Sequence, residues 1–341
     1  MKKEFFDLLK SLSELFGPTG CEGRVADLIE ASLEGIPCKR DAVGNLIVHL
    51  EGKGKKILVT APMDEAGYMI TDIDDKGYVR FEKTGNADNG CFAGKRLTLG
   101  NEKELISAVG GVKVLHLAGG EAGDTPATDK LFAETGLAAE ELKKKLEKSD
   151  FAALEGSLST LPGGYLVGKA LESRALCALM IEAIKEMSGK DEAERNDLYF
   201  VFTVKEKAGM STASAAAYTI RPEEAYLLGF APANDFDGVD EHLKGARLGE
   251  GVVLALKDRR VLYFDSPLTE RALGMAKEQG IPAYGADMAS CGDLSAGALH
   301  LVGAGIPCAS LRLPCRNPET NRVIVKENDL ENTLSLLCAL I

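Results

Sequence analysis

The chain is 341 residues long, with 45% hydrophobic and 27% charged residues. That composition is globular and excludes a disordered or fibrous protein; the length suits two domains, or one large domain carrying an insertion. Forty basic against 52 acidic residues give a formal charge of -12, which argues against nucleic acid or an anionic membrane as partner, because phosphate binding needs a surplus of Lys and Arg.

The opening Met1-Lys-Lys-Glu-Phe-Phe-Asp7 has acidic residues among its apolar ones and does not read as a signal peptide. No apolar run approaches the roughly 18 residues of a transmembrane helix. The eight cysteines, at 21, 38, 91, 177, 291, 308, 315 and 338, form no CxxC pair. They are expected to be reduced thiols, several of them buried, in a cytoplasmic protein.

Phe5, Leu8, Leu9, Leu12 and Phe16 fall at helical spacing, and Gly17-Pro18 stops that helix. A second helix is expected over 22–33, a strand over 45–50 and a buried strand over 56–61, whose apolar run is nearly continuous. From about 67 to 162 the texture changes to short alternating segments broken by Gly, Asn and Asp, with one short charged helix over 140–147. That pattern predicts a small β-rich barrel or sandwich. An amphipathic helix over 173–187, a buried strand over 197–204 and an Ala-rich helix over 211–218 follow. Further strand–helix alternation covers 226–230, 252–256, 268–279, 296–302, 308–311 and 327–340. The expected fold is therefore α/β, a mixed and mostly parallel sheet with helices on both faces. The expected domains are 1–66 plus 163–341, interrupted by the β-rich insert 67–162.

Five stretches stand where such sheets place their sites, at strand ends and helix starts. They are Thr60-Ala-Pro-Met-Asp-Glu-Ala-Gly67, Gly168-Lys-Ala-Leu-Glu-Ser-Arg174, Phe202-Thr-Val-Lys-Glu-Lys-Ala-Gly209, Ser290-Cys-Gly-Asp293 and Leu313-Pro-Cys-Arg-Asn-Pro-Glu-Thr320. All carry acids. Taken singly, each acid reads as a solvated loop charge or a helix N-cap. None of the histidines at 49, 116, 242 and 300 lies in these stretches, and no GxSxG elbow is present. Gly119-Gly120 and Gly163-Gly164 lack the context of a nucleotide-binding loop.

The order of the motifs carries a resemblance. Phe16-Gly-Pro-Thr-Gly-Cys-Glu-Gly23, Asp41-Ala-Val-Gly-Asn-Leu-Ile47, Met63-Asp-Glu-Ala-Gly-Tyr-Met69, Gly168 to Arg174, Tyr199-Phe-Val-Phe-Thr-Val-Lys-Glu206 and Gly292-Asp293 follow one another. The chain thereby resembles, end to end, the glutamyl and deblocking aminopeptidases that form tetrahedral particles and are sometimes labelled endoglucanases. The resemblance implies a zinc-exopeptidase-like α/β domain with an inserted barrel-like domain used in dimer contacts. It also implies a two-metal site, usually zinc or cobalt, that hydrolyses an N-terminal peptide bond.

Such chemistry uses two metals, a bridging carboxylate and a carboxylate base, with His, Asp and Glu as N and O donors. Carried across by the resemblance, one ligand histidine falls on Pro62, with its orienting Asp64 retained. The bridging aspartate falls on Glu172. The base and the ligand beside it fall on Glu206 and Lys207, the next ligand on Gly229, and the last on Glu319. Pro62, Lys207 and Gly229 offer no donor to a cation.

A non-catalytic homologue, kept for binding or assembly, is the reading expected. Its cleft would hold Glu172, Arg174, Lys207, Asp293 and Glu319, with positive charge from Lys207 and Arg174 offsetting carboxylate repulsion. Glu206 and Asp64 remain as catalytic-type residues. No metal cofactor is then expected, the alternative being two divalent metals, zinc or cobalt, in a rebuilt site that recruits Asp235. A third reading makes Cys291 or Cys315 a nucleophile, although a structural thiol is the plainer one. The expected partner is another copy of the chain, as a dimer or a dodecamer, with a peptide as candidate ligand.

Overall fold

The periodic Leu9 and Leu12 are fully buried along helix α1 (Lys3–Glu14), which ends just before Gly17-Pro18. Helix α2 (Gly23–Ser32) follows, burying Val25, Ala26 and Ile29. A computed structural model describes residues 2–113, 125–240, 244–257, 267–287 and 295–341. Its principal sheet takes β1 (Cys38–Arg40), β2 (Leu46–Leu50), β3 (Lys56–Pro62), β12 (Asp197–Thr203), β13 (Glu224–Pro232), β14 (Val252–Lys257), β15 (Ala283–Asp287) and β16 (Cys308–Cys315). The order is β1-β2-β12-β3-β13-β16-β14-β15. The central strands β12, β3, β13 and β16 are mutually parallel, so their carboxyl ends emerge along one edge. Antiparallel partners flank them at β2 and β14.

Alternation along each strand splits the core between the two sheet faces. Ile57, Val59 and Ala61 of β3 join Phe200, Phe202, Leu311 and the buried residues of α4 (Leu171–Ser188). Leu58, Val201 and Leu227 face the opposite way, against α5 (Ala213–Ile220) and Leu299 of α7 (Ser295–His300). Helices α6 (Pro267–Gln279) and α8 (Glu327–Leu340) pack on the first side. Of these, α4 matters most for the site. It is buried along most of its length because it lies under α1 and α8 and against the sheet.

Strands β4 (Gly67–Ile73), β5 (Val79–Thr84), β6 (Arg96–Gly100), β7 (Leu105–Gly111), β8 (Phe132–Glu134) and β9 (Phe151–Leu154) close into a barrel in the order β4-β5-β8-β7-β6-β9. Tyr68, Phe81 and Phe92 meet inside it, with ring centroids 5.1–5.9 Å apart. The expected 140–147 helix is a single turn, α3 (Ala139–Leu142), that buries Leu142 against this core. Beyond the barrel, β10 (Ser159–Leu161), β11 (Tyr165–Gly168) and β17 (Val323–Lys326) form a small antiparallel sheet. This is the mixed α/β fold with a barrel-like insertion expected from the sequence. Among the described residues no helix is long and apolar enough to cross a membrane.

Candidate functional site

Four motif stretches converge at the carboxyl edge of the parallel strands, the usual place for a site in such a sheet. Pro62 ends β3, and Asp64 and Glu65 follow it. Glu206 and Lys207 lie just beyond β12, Glu172 in the first turn of α4, and Glu319 in the turn after β16. The fifth stretch, with Asp293 and Cys291, lies outside the described residues. Three linking residues take left-handed backbone without being glycine: Ala170 (φ 55°), Lys205 (φ 61°) and Glu319 (φ 63°). Such backbone is costly for an L side chain and gathers at sites where the surroundings enforce it.

Lys207 is the hub. Its side chain is 7% exposed, with Nζ 3.8 Å from Glu172 Oε1 and 3.6 Å from Glu319 Oε1. The same ammonium lies 4.4 Å from the centre of the Phe230 ring, a cation–π contact. The barrel reaches this point too. Gly85 has φ +85°, and a Cβ there would come 2.9 Å from the Lys207 Cβ, so only glycine lets the barrel approach so closely. The backbone N–H of Lys207 donates to Asp64 Oδ2 at 2.7 Å, and the Thr19 hydroxyl donates to the same oxygen at 2.8 Å.

Burial pushes the Asp64 and Glu172 carboxyls above their usual range, and the nearby Lys207 only partly pulls them back. For Lys207 burial works toward deprotonation, but Glu172, Glu319 and Asp64 together outweigh it and hold the ammonium above its ordinary value. Glu172 Oε1 accepts from the Glu319 backbone N–H at 3.2 Å. Glu172 Oε2 and Asp64 Oδ1 are buried and have no hydrogen-bond partner.

Arg174 lies elsewhere than the charge-replacement reading places it. It donates to the Gly17 carbonyl at 3.0 Å and stands 3.7 Å from Glu65, not against Glu172. Glu65 in turn accepts from Lys169 Nζ at 2.7 and 2.9 Å, a buried ion pair that sequence reading missed. Arg312 was missed as well. It stands beside Gly229 across the parallel β13–β16 pair, and a Cβ at 229 would lie 2.4 Å from its Nη1. The one arginine inside the apolar run of β16 was the available signal. Asp235 is held by Arg316 at 2.7 Å. Cys315 is fully buried, and burial pushes the Cys177 thiol, which donates to the Pro62 carbonyl, up to about 12.

Comparison with known proteins supplies the frame for this geometry. The family model described as M42 glutamyl aminopeptidase matches residues 44–336. A relative from Acetivibrio thermocellus is 32% identical over 98% of both chains. The glutamyl aminopeptidase of Lactococcus lactis is 26% identical over 99% of this chain and 96% of its own. The TET1 peptidase of Pyrococcus horikoshii, which can assemble into a tetrahedron or a large octahedral shell, superposes with a TM-score of 0.88 at 27% identity, covering 98% of both chains.

These findings correct one expectation. Members of this family are metal-dependent, so the loss of donors at single positions did not justify expecting no metal cofactor. The residues here nonetheless do not fit the family's two-metal group. Pro62 has no donor, Lys207 brings an ammonium, and the space beside Gly229 holds the Arg312 guanidinium. Among the described residues no cluster of three or more His, Cys, Asp or Glu is placed to hold a metal. The matched span and the full-length likeness decide the matter of descent: the chain belongs to the M42 glutamyl aminopeptidase family.

Proposed function

We propose that this chain keeps the aminopeptidase fold for binding or assembly and has lost peptide hydrolysis at this cleft. The observation that carries the reading is Lys207, whose ammonium sits within 4 Å of both Glu172 and Glu319, at the position the resemblance gives to a ligand carboxylate. An ammonium there repels the cation that the family's route requires. An N-terminal peptide segment is the ligand class we assign to the cleft, with Glu172, Glu206 and Glu319 as its acidic lining. We also read the chain as a homo-oligomer built from dimers, since a full-length relative forms closed shells. Leu105 and Val109, exposed along barrel strand β7, are apolar residues suited to such a contact. The seven described cysteines are free thiols, which suits a reducing, cytoplasmic setting.

A second reading is a working aminopeptidase with a rebuilt site. It is favoured by the retained Glu206 and by relatives of matching length named glutamyl and lysyl aminopeptidase. A panel of aminoacyl p-nitroanilides, assayed with added zinc or cobalt, separates the two. We expect no release of p-nitroaniline above the buffer rate. Turnover that disappears in Glu206→Gln would establish the second reading.

A further inference from the structure

A protein of formal charge -12 that gathers four cations around one cavity does so against its overall charge. The cavity measures about 450 Å³ and lies where the barrel meets the α/β domain, with Lys95, Arg96, Lys169 and Arg322 in its lining beside Glu14 and Glu155. Both acids are already matched. Glu14 Oε1 takes Lys10 Nζ and the Leu158 N–H, the latter at 2.9 Å. Glu155 takes Arg96 Nε at 2.8 Å and the Thr98 hydroxyl at 3.2 Å. Lys169 is bound to Glu65 at 2.7 Å. Lys95 and Arg322 are left, and neither forms an ion pair among the described residues. They come from separate parts of the chain, Lys95 just before β6 of the barrel and Arg322 just before β17 of the small antiparallel sheet. Arg322 is fixed in place. Its Nη1 donates to the Asn321 carbonyl at 2.8 Å and lies so near Gly156, another lining residue, that a Cβ there would come within 2.9 Å. A guanidinium held this way loses less freedom when it meets a ligand.

We propose that this cavity is a binding site for a phosphate monoester, held between Lys95 of the barrel and the Arg322 guanidinium. Two uncompensated cations match a group that carries a charge of about -1.5 to -2 at neutral pH. The planar guanidinium offers parallel N–H donors to two phosphate oxygens, and the lysine adds a point charge. A monocarboxylate would leave one cation unmatched. Glu14 and Glu155 do little to repel the ligand, since each is neutralised by its own cation. Pockets for organic ligands run from roughly 300 to 1,000 Å³, so this cavity has room for more than the phosphate group. Lys169 and Asn321 also line the opening beside Glu172 and Glu319, so the site borders the cleft without using its carboxylates. Lys95 and Arg322 are both exposed, and binding therefore weakens as salt is added.

Anion binding is read with no peptide present, so its outcome is independent of whether the cleft cuts peptides. The full chain is titrated by calorimetry with glycerol 2-phosphate in a chloride buffer, as wild type, Lys95→Gln, Arg322→Gln and Arg322→Lys. Wild type is expected to bind saturably, and its Tm to climb with ligand concentration as mass action demands. Lys95→Gln and Arg322→Gln are each expected to weaken binding by at least about fivefold, as the loss of one charge-assisted contact does. Arg322→Lys keeps the charge but not the fork, and is expected to bind at least about threefold more weakly. No saturable binding by wild type, or an affinity unchanged in Arg322→Gln, overturns the proposal. Wild-type affinity in Arg322→Lys would reduce the site to diffuse surface charge and overturns it as well. Citrate bound as tightly as glycerol 2-phosphate would make the ligand a polycarboxylate and overturn the assignment to phosphate.

Discussion

Two clusters of buried charge lie side by side at the carboxyl edge of the sheet, and they are built differently. In the first, Glu65 has Lys169 on both carboxylate oxygens, at 2.7 and 2.9 Å, and the Gly17 N–H at 3.1 Å. In the second, Lys207 stands 3.6–3.8 Å from Glu319 and Glu172, and oxygens of Glu172 and Asp64 go without a partner. The first bonds both oxygens of Glu65 and ties the segment after α1, the end of β3 and the start of α4 together, although the Arg174 guanidinium beside it leaves Nε and Nη1 without partners. The second sets one ammonium against several carboxyls at longer range and is open in its hydrogen bonding. Buried polar networks are retained for structure when every member is satisfied, and unsatisfied members in a native protein point to a role besides stability.

The sharpest way to break this contrast is to remove one lysine from each cluster. Lys169→Met strips a fully bonded, buried carboxylate of its counter-charge and should cost about 3–5 kcal/mol in urea unfolding. Lys207→Ala should cost distinctly less, since the Glu172 carboxyl already leans toward its protonated form and can neutralise itself. Equal losses at the two lysines would mean that the clusters do not differ in kind.

A middle-sized effect is expected at Gly229. An added methyl lies 2.4 Å from Arg312 Nη1, so Gly229→Ala must displace a buried guanidinium. We expect a loss of roughly 1–3 kcal/mol, as for other overpacked sites, measured by the denaturation midpoint. A neutral outcome would show that Arg312 moves freely and does not block that side of the cleft.

The smallest effect is a pH dependence. Burial raises the folded-state pKa of Glu172 above the ordinary 4.5, so the stability this group contributes is full below 4.5 and is lost as pH rises through its folded value. Glu172→Gln cannot titrate. Its stability relative to wild type should therefore rise with pH above 4.5 and then level off, as read from urea curves at a series of pH values. A difference independent of pH would place Glu172 among the ordinary, ionised carboxylates.

Much of this was legible in the chain before folding. Apolar patterning located β2, β3, β12 and α8 within a residue or two, the central β3 and β12 as near-continuous apolar runs because both their faces are buried. The motif order located Asp64, Glu172, Lys207 and Glu319, since each ends a strand or opens a helix or turn at the same edge. Short strands such as β8, β10 and β17 left no such signal. Three or four residues are too few for a period to show, and their pairing is decided by distant partners. Arg174, expected with Lys207 to offset the cleft carboxylates, lies instead at Gly17 and Glu65 for a related reason. On α4 it is two residues from Glu172, and residues two apart on a helix do not share a face.

The sequence by itself determined the family and the α/β fold with its inserted barrel, and it set Pro62, Lys207 and Gly229 at the positions the resemblance gives to ligands, because these depend on residue type and order along the chain. Only the tertiary structure decided what stands beside those positions. Arg312 lies 83 positions from Gly229 and Lys169 lies 104 from Glu65. Strand pairing and the burial of α4 bring them together, and no local pattern records how far an ammonium stops from a carboxylate.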